Sequence, residues 1–296
     1  MNHKLPENTK KDNHQLGIFW MILAALCFAL VALIIKLLNN IPLMEIVLFR
    51  NLPSMIIVPI IIIMKQKISI WGRNKPLLFL RGFLGALGMI AMFYTYTKMP
   101  ITDSITIQRL SPFFIIMMSI VFLHEEYSFK QVPIILLAFI GALFVIKPGF
   151  RTDIFPAIVA LISAMLMGAA HVVIRCLRLT DNYWVIINYY AYIAGITAII
   201  SLVWQGNFVM PNTIDFILLL ILGFLAFGSQ ISLTLAYRFA PASIAAPYLY
   251  TQILFAAILE ISLLRVLPDI LTLIGSSIII ISGVLNYQFS RVKPTK

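Results

Sequence analysis

The sequence predicts an all-α fold, a polytopic membrane protein of ten transmembrane helices arranged as two inverted five-helix repeats, and three observations carry that prediction. First, 61% of the 296 residues are hydrophobic and only 11% are charged, whereas a soluble domain holds about 45–50% apolar and about 25% charged residues. Second, the apolar residues fall in runs of about 20, the length that crosses a bilayer core as an α-helix. Ten such spans use about 200 positions and leave roughly nine for each connection or tail, so no extramembrane domain fits and a soluble enzyme is excluded. Third, the chain matches itself at an offset of 141: Gly82-Phe83-Leu84 falls on Gly223-Phe224-Leu225, Tyr96 on Tyr237, Pro100 on Pro241 and Thr102 on Ser243. Five spans per half is an odd number, so the second half starts on the opposite face and the copies are inverted.

Apolar runs broken by Pro, Asn or charge place the first five spans at 17–38, 43–64, 77–97, 101–123 and 132–147. The second five lie at 154–174, 183–204, 214–236, 243–264 and 268–290. The first 16 residues are polar and form a cytoplasmic tail. The run after them is longer than the 7–15 residues of a secretory signal, so it is expected to be kept as span one. Span three carries Gly82, Gly85 and Gly88, and span eight Gly223 and Gly228, small residues suited to close helix packing. Pro100 precedes span four, Pro112 and Pro133 interrupt spans four and five, and Pro241 and Pro247 flank the start of span nine. Proline frees a carbonyl one turn earlier, so spans four and nine are expected to bend or to expose polar backbone, with Pro247 the leading hinge candidate. The domain boundaries are then 1–16 for the amino-terminal tail, 17–148 and 149–290 for the two repeats, and 291–296 for a cytoplasmic carboxy-terminal tail.

Net charge is +11, and its distribution is a topology signal. With both termini cytoplasmic, 15 Lys and Arg lie on the inner side, Arg81 among them, and five on the outer: Lys36, Lys98, Lys147, Arg151 and Arg265. That asymmetry is the one found in multi-pass proteins. No basic face with interleaved aromatics forms, which removes nucleic acid as a partner. Cys27 lies near mid-membrane and Cys176 just past the cytoplasmic end of span six, too different in depth for a disulfide. Both are expected as free thiols, with no metal site.

The remaining two cations, Arg50 and Arg109, fall inside spans two and four at similar depth, in the outer half near the centre. A charge in hydrocarbon costs about 2.5–3.5 kcal/mol on insertion scales and requires a partner or a wet cavity. Together they are placed to grip one anion, a carboxylate or phosphate, through paired hydrogen bonds. The competing role is an ion pair with Glu45, Asp103 or Glu260. Glu260, late in span nine, is a candidate for such a pair or for proton coupling, and Glu45 for the same. Tyr94, Tyr96, Gln230, Tyr248, Tyr250 and Gln252 lie where a cavity between the halves would run, with Tyr94, Tyr248 and Tyr250 as walls and Gln108, Gln230 and Gln252 as orienting amides. Trp20 is read chiefly as an interface anchor, and His171 and Asn188 as lesser candidates.

The residues resemble the drug/metabolite transporter superfamily, specifically the EamA-type ten-helix carriers, over nearly the whole chain from Gly17 to the end of span ten. The resemblance is carried by Glu45 to Arg50, Leu80-Arg81-Gly82, Pro100-Ile101-Thr102, Phe122-Leu123-His124-Glu125, Phe139-Ile140-Gly141, Lys147-Pro148, Ala246-Pro247-Tyr248 and Pro268-Asp269. The pattern is most similar to bacterial S-adenosylmethionine uptake transporters, through the run Ala246 to Tyr250. Two positions depart from them: an acid near the end of span nine is replaced around Val266, and a Glu inside that span is Gln252 here. The resemblance implies a bacterial inner-membrane carrier with its cavity between spans one, three, four, six, eight and nine.

The resulting expectation is a secondary transporter moving a small polar or amphipathic metabolite by alternating access, with S-adenosylmethionine or an amino-acid-like solute among the candidates. A lipid scramblase or channel is the alternative. No nucleophile with its base, phosphate-cradling loop or cofactor motif is present, so no enzymatic activity or cofactor is expected.

Overall fold

The computed structural model describes residues 14–64, 69–111, 113–115, 117–118, 132–146, 154–177, 180–239 and 246–291. Pro112, Pro148, Pro241, Ser243 and the run Phe122 to Glu125 lie outside them. Every regular element among the described residues is helical. In chain order these are α1 (His14–Leu37), α2 (Leu43–Met64), α3 (Lys75–Lys98), α4 (Ile101–Gln108), α5 (Val132–Ile146), α6 (Phe155–Leu177), α7 (Tyr183–Gln205), α8 (Thr213–Phe239), a 3₁₀ turn (Ala246–Tyr250) leading into α9 (Thr251–Leu259), a wide π turn (Glu260–Leu264), and α10 (Ile270–Arg291). Six of these, α1, α2, α3, α6, α7 and α8, contain stretches long and apolar enough to cross a bilayer, which with the family established below makes this a multi-pass membrane protein.

Local chemistry sets the helix ends. Asn74 caps α3, its side chain accepting from Leu77 N, and Asn182 caps α7 by accepting from Trp184 N at 3.0 Å. Gly206, at φ +61°, closes α7 in the left-handed conformation that glycine adopts without a Cβ penalty. Asp269 opens α10 by accepting from Thr272 N at 2.8 Å. Helices α1, α3, α6 and α8 run up to three residues past the apolar spans at one or both ends, because hydropathy marks the hydrocarbon and not the last helical turn.

Span four differs from its expected form as a continuous helix. Helix α4 ends at Gln108, Arg109 and Leu110 form a turn, and helix resumes at Ser111. Pro112 has no N–H, so the Gln108 carbonyl loses its donor four residues on. The chain tightens there, with Arg109 N donating to both Ile105 and Thr106 and Leu110 N to Ile107. Span nine likewise opens as 3₁₀ turn around Pro247 before α9 begins.

The main packings are α1 with α8, α3 with α6, α2 with α7 and α5 with α10, followed by α3 with α7, α2 with α8 and α1 with α9. Helices α5 and α10 meet at two glycines: a Cβ on Gly141 would lie 3.0 Å from the Gly275 carbonyl oxygen, and one on Gly275 would lie 2.5 Å from that of Gly141. Outside, Ile56, Ile60 and Ile63 on α2, Ile199, Ile200 and Val203 on α7, and Ile217, Leu220 and Phe224 on α8 are exposed. In water such a belt would aggregate; facing lipid tails it is solvated.

The helix ends sort onto two faces. On one, Lys36 Nζ donates to the Met99 carbonyl at 2.7 Å, Val209 N to Glu45, and Thr272 Oγ1 to Asp103 at 2.6 Å. On the other, Asp181 accepts from Arg73 N at 2.5 Å and Asn74 N at 3.2 Å, and Tyr189 donates to the Trp71 carbonyl. Each of these contacts joins ends that an alternating path through the bilayer puts on the same side.

Candidate functional site

Among the described residues three arginines reach the interior. Arg50, in the second turn of α2, is buried and donates from Nη1 to Asn51 Oδ1 at 3.0 Å, while Asn51 Nδ2 is tied to the Val47 carbonyl at 2.8 Å. Its guanidinium carbon lies 5.3 Å from the Tyr190 ring centroid and 5.8 Å from that of Phe93. Arg81, in the second turn of α3, stacks on the same tyrosine at 4.7 Å. All three distances are within the ~6 Å reach of a cation–π attraction. Tyr190 is fixed between α7 and α3 by a bond from its hydroxyl to Met89 Sδ at 3.2 Å.

Arg109 occupies the turn after α4, where the helix break turns its side chain toward the opening of α9. Nη2 donates to Gln252 Oε1 at 2.7 Å and Nη1 to the Leu249 carbonyl at 3.4 Å. The two interrupted spans therefore meet through this side chain, and the Tyr250 hydroxyl returns to the Arg109 carbonyl at 3.5 Å. The Tyr250 ring packs on Gly283 of α10, where a Cβ would strike it. Tyr96, fully buried on α3, lies beside Gln252, and its ring stacks at 6.2 Å on Phe93, which Arg50 covers at 5.8 Å. Arg109, Gln252, Tyr250, Tyr96 and Arg50 thus form one buried polar region.

Other residues marked from the sequence stand elsewhere. Gln108 donates to Ser163 Oγ at 2.5 Å, and Ser163 to the Gly88 carbonyl at 2.6 Å, a chain that ties α4 to α6 and α3. Tyr94 makes an edge contact with Phe155 at 6.2 Å. Tyr248 packs with Trp20, Leu233 and Leu249 around Met21 and Ala236. Gln230 is half-buried on α8, where its carbonyl accepts from Thr234 Oγ1. Glu45 is buried at the start of α2 with Oε2 on Val209 N and Oε1 without a partner. Glu260 accepts from Ile101 N at 2.6 Å, from Thr102 N at 2.8 Å and from the Thr102 hydroxyl, holding the amino-terminal turn of α4, with Lys36 the cation in its field. Cys27 and Cys176 are free thiols.

Sequence reasoning missed Arg81 and Tyr190. Arg81 was counted among the cytoplasmic cations, yet its side chain is only 7% exposed. The signal lay in Asn74-Lys75-Pro76, a cap followed by helix-opening residues that starts α3 early and carries Arg81 into its second turn. In the loop between α6 and α7, burial pushes the Asp181 carboxyl up. The Arg73 backbone N–H, the Thr180 hydroxyl, the Asn74 N–H and the Arg73 charge outweigh that effect and hold it below the ordinary carboxylate range.

Comparison with known proteins decides the family. The EamA-like transporter family profile matches residues 15–147 and again residues 154–288. The chain belongs to the EamA-like transporter family. The pseudopaline exporter CntI of Pseudomonas aeruginosa is 30% identical over 270 residues, covering 90% of this chain and 94% of that protein. Solute carrier family 35 member G1 of Mus musculus is 27% identical over 90% of this chain and 77% of its own length. The S-adenosylmethionine uptake transporter of Rickettsia bellii is 25% identical over 92% of this chain and 94% of its own. A solved crystal structure superposes with a TM-score of 0.65 over 94% of this chain and 96% of that one, at 16% identity, and shows the fold alone. The EamA-family chain is a membrane transporter of small metabolites and not an enzyme.

Proposed function

We propose that this chain is a secondary carrier of the bacterial inner membrane, both termini cytoplasmic, whose two inverted five-helix halves exchange shape to open one buried site to each side in turn. One observation carries the reading. Replacing each helix by the one five places away turns the α1–α8 packing into α6–α3, α3–α7 into α8–α2 and α1–α9 into α6–α4, and returns α2–α7 and α5–α10 to themselves. Two copies related by a twofold axis generate such a map, and the exchange of near-equal halves is what lets a carrier present one site alternately. The two family matches, about 140 residues apart, agree with the offset in the sequence.

The cargo is a small polar metabolite with an anionic group, held by Arg109 with Gln252 and by Arg50. Named relatives move pseudopaline in one case and S-adenosylmethionine in another. Gln252 in place of a carboxylate, beside buried guanidiniums, weighs against a sulfonium cation here and toward an acid. Counterflow in proteoliposomes across a panel of labelled amino acids, carboxylic acids and S-adenosylmethionine tests the reading. The expected result is saturable uptake stimulated by unlabelled solute on the far side, reduced about 30-fold or more in Arg109→Ala, the range for truncating one member of a buried charged contact. Flux without saturation or trans-stimulation, or lipid flipping alone, would identify a channel or scramblase instead.

A further inference from the structure

We propose that Arg81 and Arg50, gathered on the Tyr190 ring, form a subsite for a doubly charged oxyanion, so that the solute carries a pair of carboxylates or a phosphate. The proposal rests on the carrier reading and names the solute class for it.

The direction of Arg81 is the first ground. An arginine in the second turn of a spanning helix ordinarily extends its head back to the near interface, where headgroups and water solvate the charge. Arg81 does the reverse. Its guanidinium lies along α3 toward Gly85, deeper by about one turn, and a Cβ at position 85 would collide with Nη1 and lie 3.0–3.1 Å from the Tyr190 ring. Glycine at that position is what admits the guanidinium.

The second ground is the lack of compensation. Nε and Nη1 of Arg81 are buried with no hydrogen-bond partner. Around it stand the Tyr190 ring, His171, whose ring nitrogen is bonded to the Met167 carbonyl, and a second cation, Arg50, whose own bond goes to the neutral amide of Asn51. No carboxylate among the described residues bonds to either guanidinium. Glu260 binds Ile101 and Thr102, Glu45 binds Val209, and Asp103 accepts from Thr272. Two like charges share one aromatic ring in a low-dielectric interior, an arrangement that destabilises the protein until an anion arrives. Unused N–H donors on a guanidinium match the parallel acceptors of a carboxylate or phosphate. A monoanion or a zwitterion leaves one of the two cations unmatched. Phe93, which Arg50 covers at 5.8 Å, stacks on Tyr96 at 6.2 Å, so the subsite borders the region of Arg109 and Gln252 described above.

The test uses the purified full-length protein in lipid nanodiscs, with succinate, inorganic phosphate, succinamide and alanine as probes, read by melting temperature and titration calorimetry. Succinate or phosphate is expected to raise the melting temperature, with the stronger of the two arms distinguishing paired carboxylates from phosphate, and succinamide and alanine are expected not to. Arg81→Met is expected to melt higher than the wild type without ligand, since it removes an uncompensated buried charge, and to bind the dianion about 30-fold more weakly or worse. Arg81→Lys, which keeps the charge without the fork, is expected to bind with intermediate affinity. Arg50→Met provides a second variant should Arg81→Met fail to fold. A lower melting temperature for Arg81→Met with unchanged dianion binding would overturn the proposal in favour of a packing cation. So would counterflow of uncharged solutes by a protein that no anion stabilises, and that result would leave the carrier reading standing.

Discussion

Replacing Glu260 by Gln tests how the two broken spans are held together. The carboxylate accepts from Ile101 N at 2.6 Å, from Thr102 N at 2.8 Å and from the Thr102 hydroxyl, at a side chain only 1% exposed. Hydrogen bonds to a charged group are worth about 1.5–3 kcal/mol each against about 0.5–1.5 for neutral ones. A glutamine keeps the shape but offers one acceptor oxygen, and its NH₂ faces a donor where the second oxygen stood. The loss of one bond and the weakening of another amount to about 2–4 kcal/mol. For a chain of this size that corresponds to a fall of roughly 5–10 °C in melting temperature, followed by tryptophan fluorescence in one detergent. Thr102→Val removes the hydroxyl bond alone, and the double variant should fall short of the sum of the two by about 1 kcal/mol. A melting temperature within about 1 °C of wild type for Glu260→Gln, or strict additivity with Thr102→Val, would refute the idea that this carboxylate anchors α4.

Other expectations follow from the same geometry. Gly85→Ala places a methyl group against Arg81 Nη1 and the Tyr190 ring, and should cost about 1–3 kcal/mol in a denaturation measurement as an overpacked interior site. Gly275→Leu, at the close approach to Gly141, should separate α5 from α10 and lower the yield of monodisperse protein in size-exclusion chromatography. Gln252→Ala strips Arg109 of its 2.7 Å acceptor and should destabilise by about 1–3 kcal/mol in the same denaturation assay, more than Gln230→Ala on the half-buried face of α8. Asp181 is held below its ordinary range by the Arg73 and Asn74 loop. Its stabilising effect should be fully present above the unfolded value of about 3.9 and be lost as pH falls through the lower folded value. The melting-temperature gap between wild type and Asp181→Asn should hold from neutral pH to about 5 and close in stronger acid.

The helical architecture was legible because hydropathy reports the hydrocarbon directly. Helix α2 runs over the expected 43–64, and α7 ends one residue past its span at the Gly206 cap. The sequence also set Arg109 in span four, and Tyr250 and Gln252 in span nine along the expected cavity, and these three meet. What hydropathy does not report is azimuth. Depth alone set Arg50 and Arg109 side by side, whereas folding turns Arg50 onto Tyr190 with Arg81 and Arg109 onto Gln252. Gln108 follows Arg109's depth but points to Ser163 instead. Arg81 was hidden by sign counting, since a basic residue near a cytoplasmic end reads as a topology marker until the cap at Asn74 fixes where the helix starts. The break at Arg109 was foreshadowed by Pro112, but which carbonyls and side chains meet there depends on α9, which lies about 140 residues away in the chain.

The most direct test of the carrier account is a pair of distance distributions measured by electron spin resonance in nanodiscs, on a background with Cys27 and Cys176 replaced. One pair labels Asn40 and Leu267 on the first face, and the other Trp71 and Thr180 on the opposite face, all exposed positions. Two populations in each pair are predicted, with any condition that lengthens one distance shortening the other. Single, fixed distributions on both faces, or distances that rise and fall together, would contradict an exchange of shape between the halves.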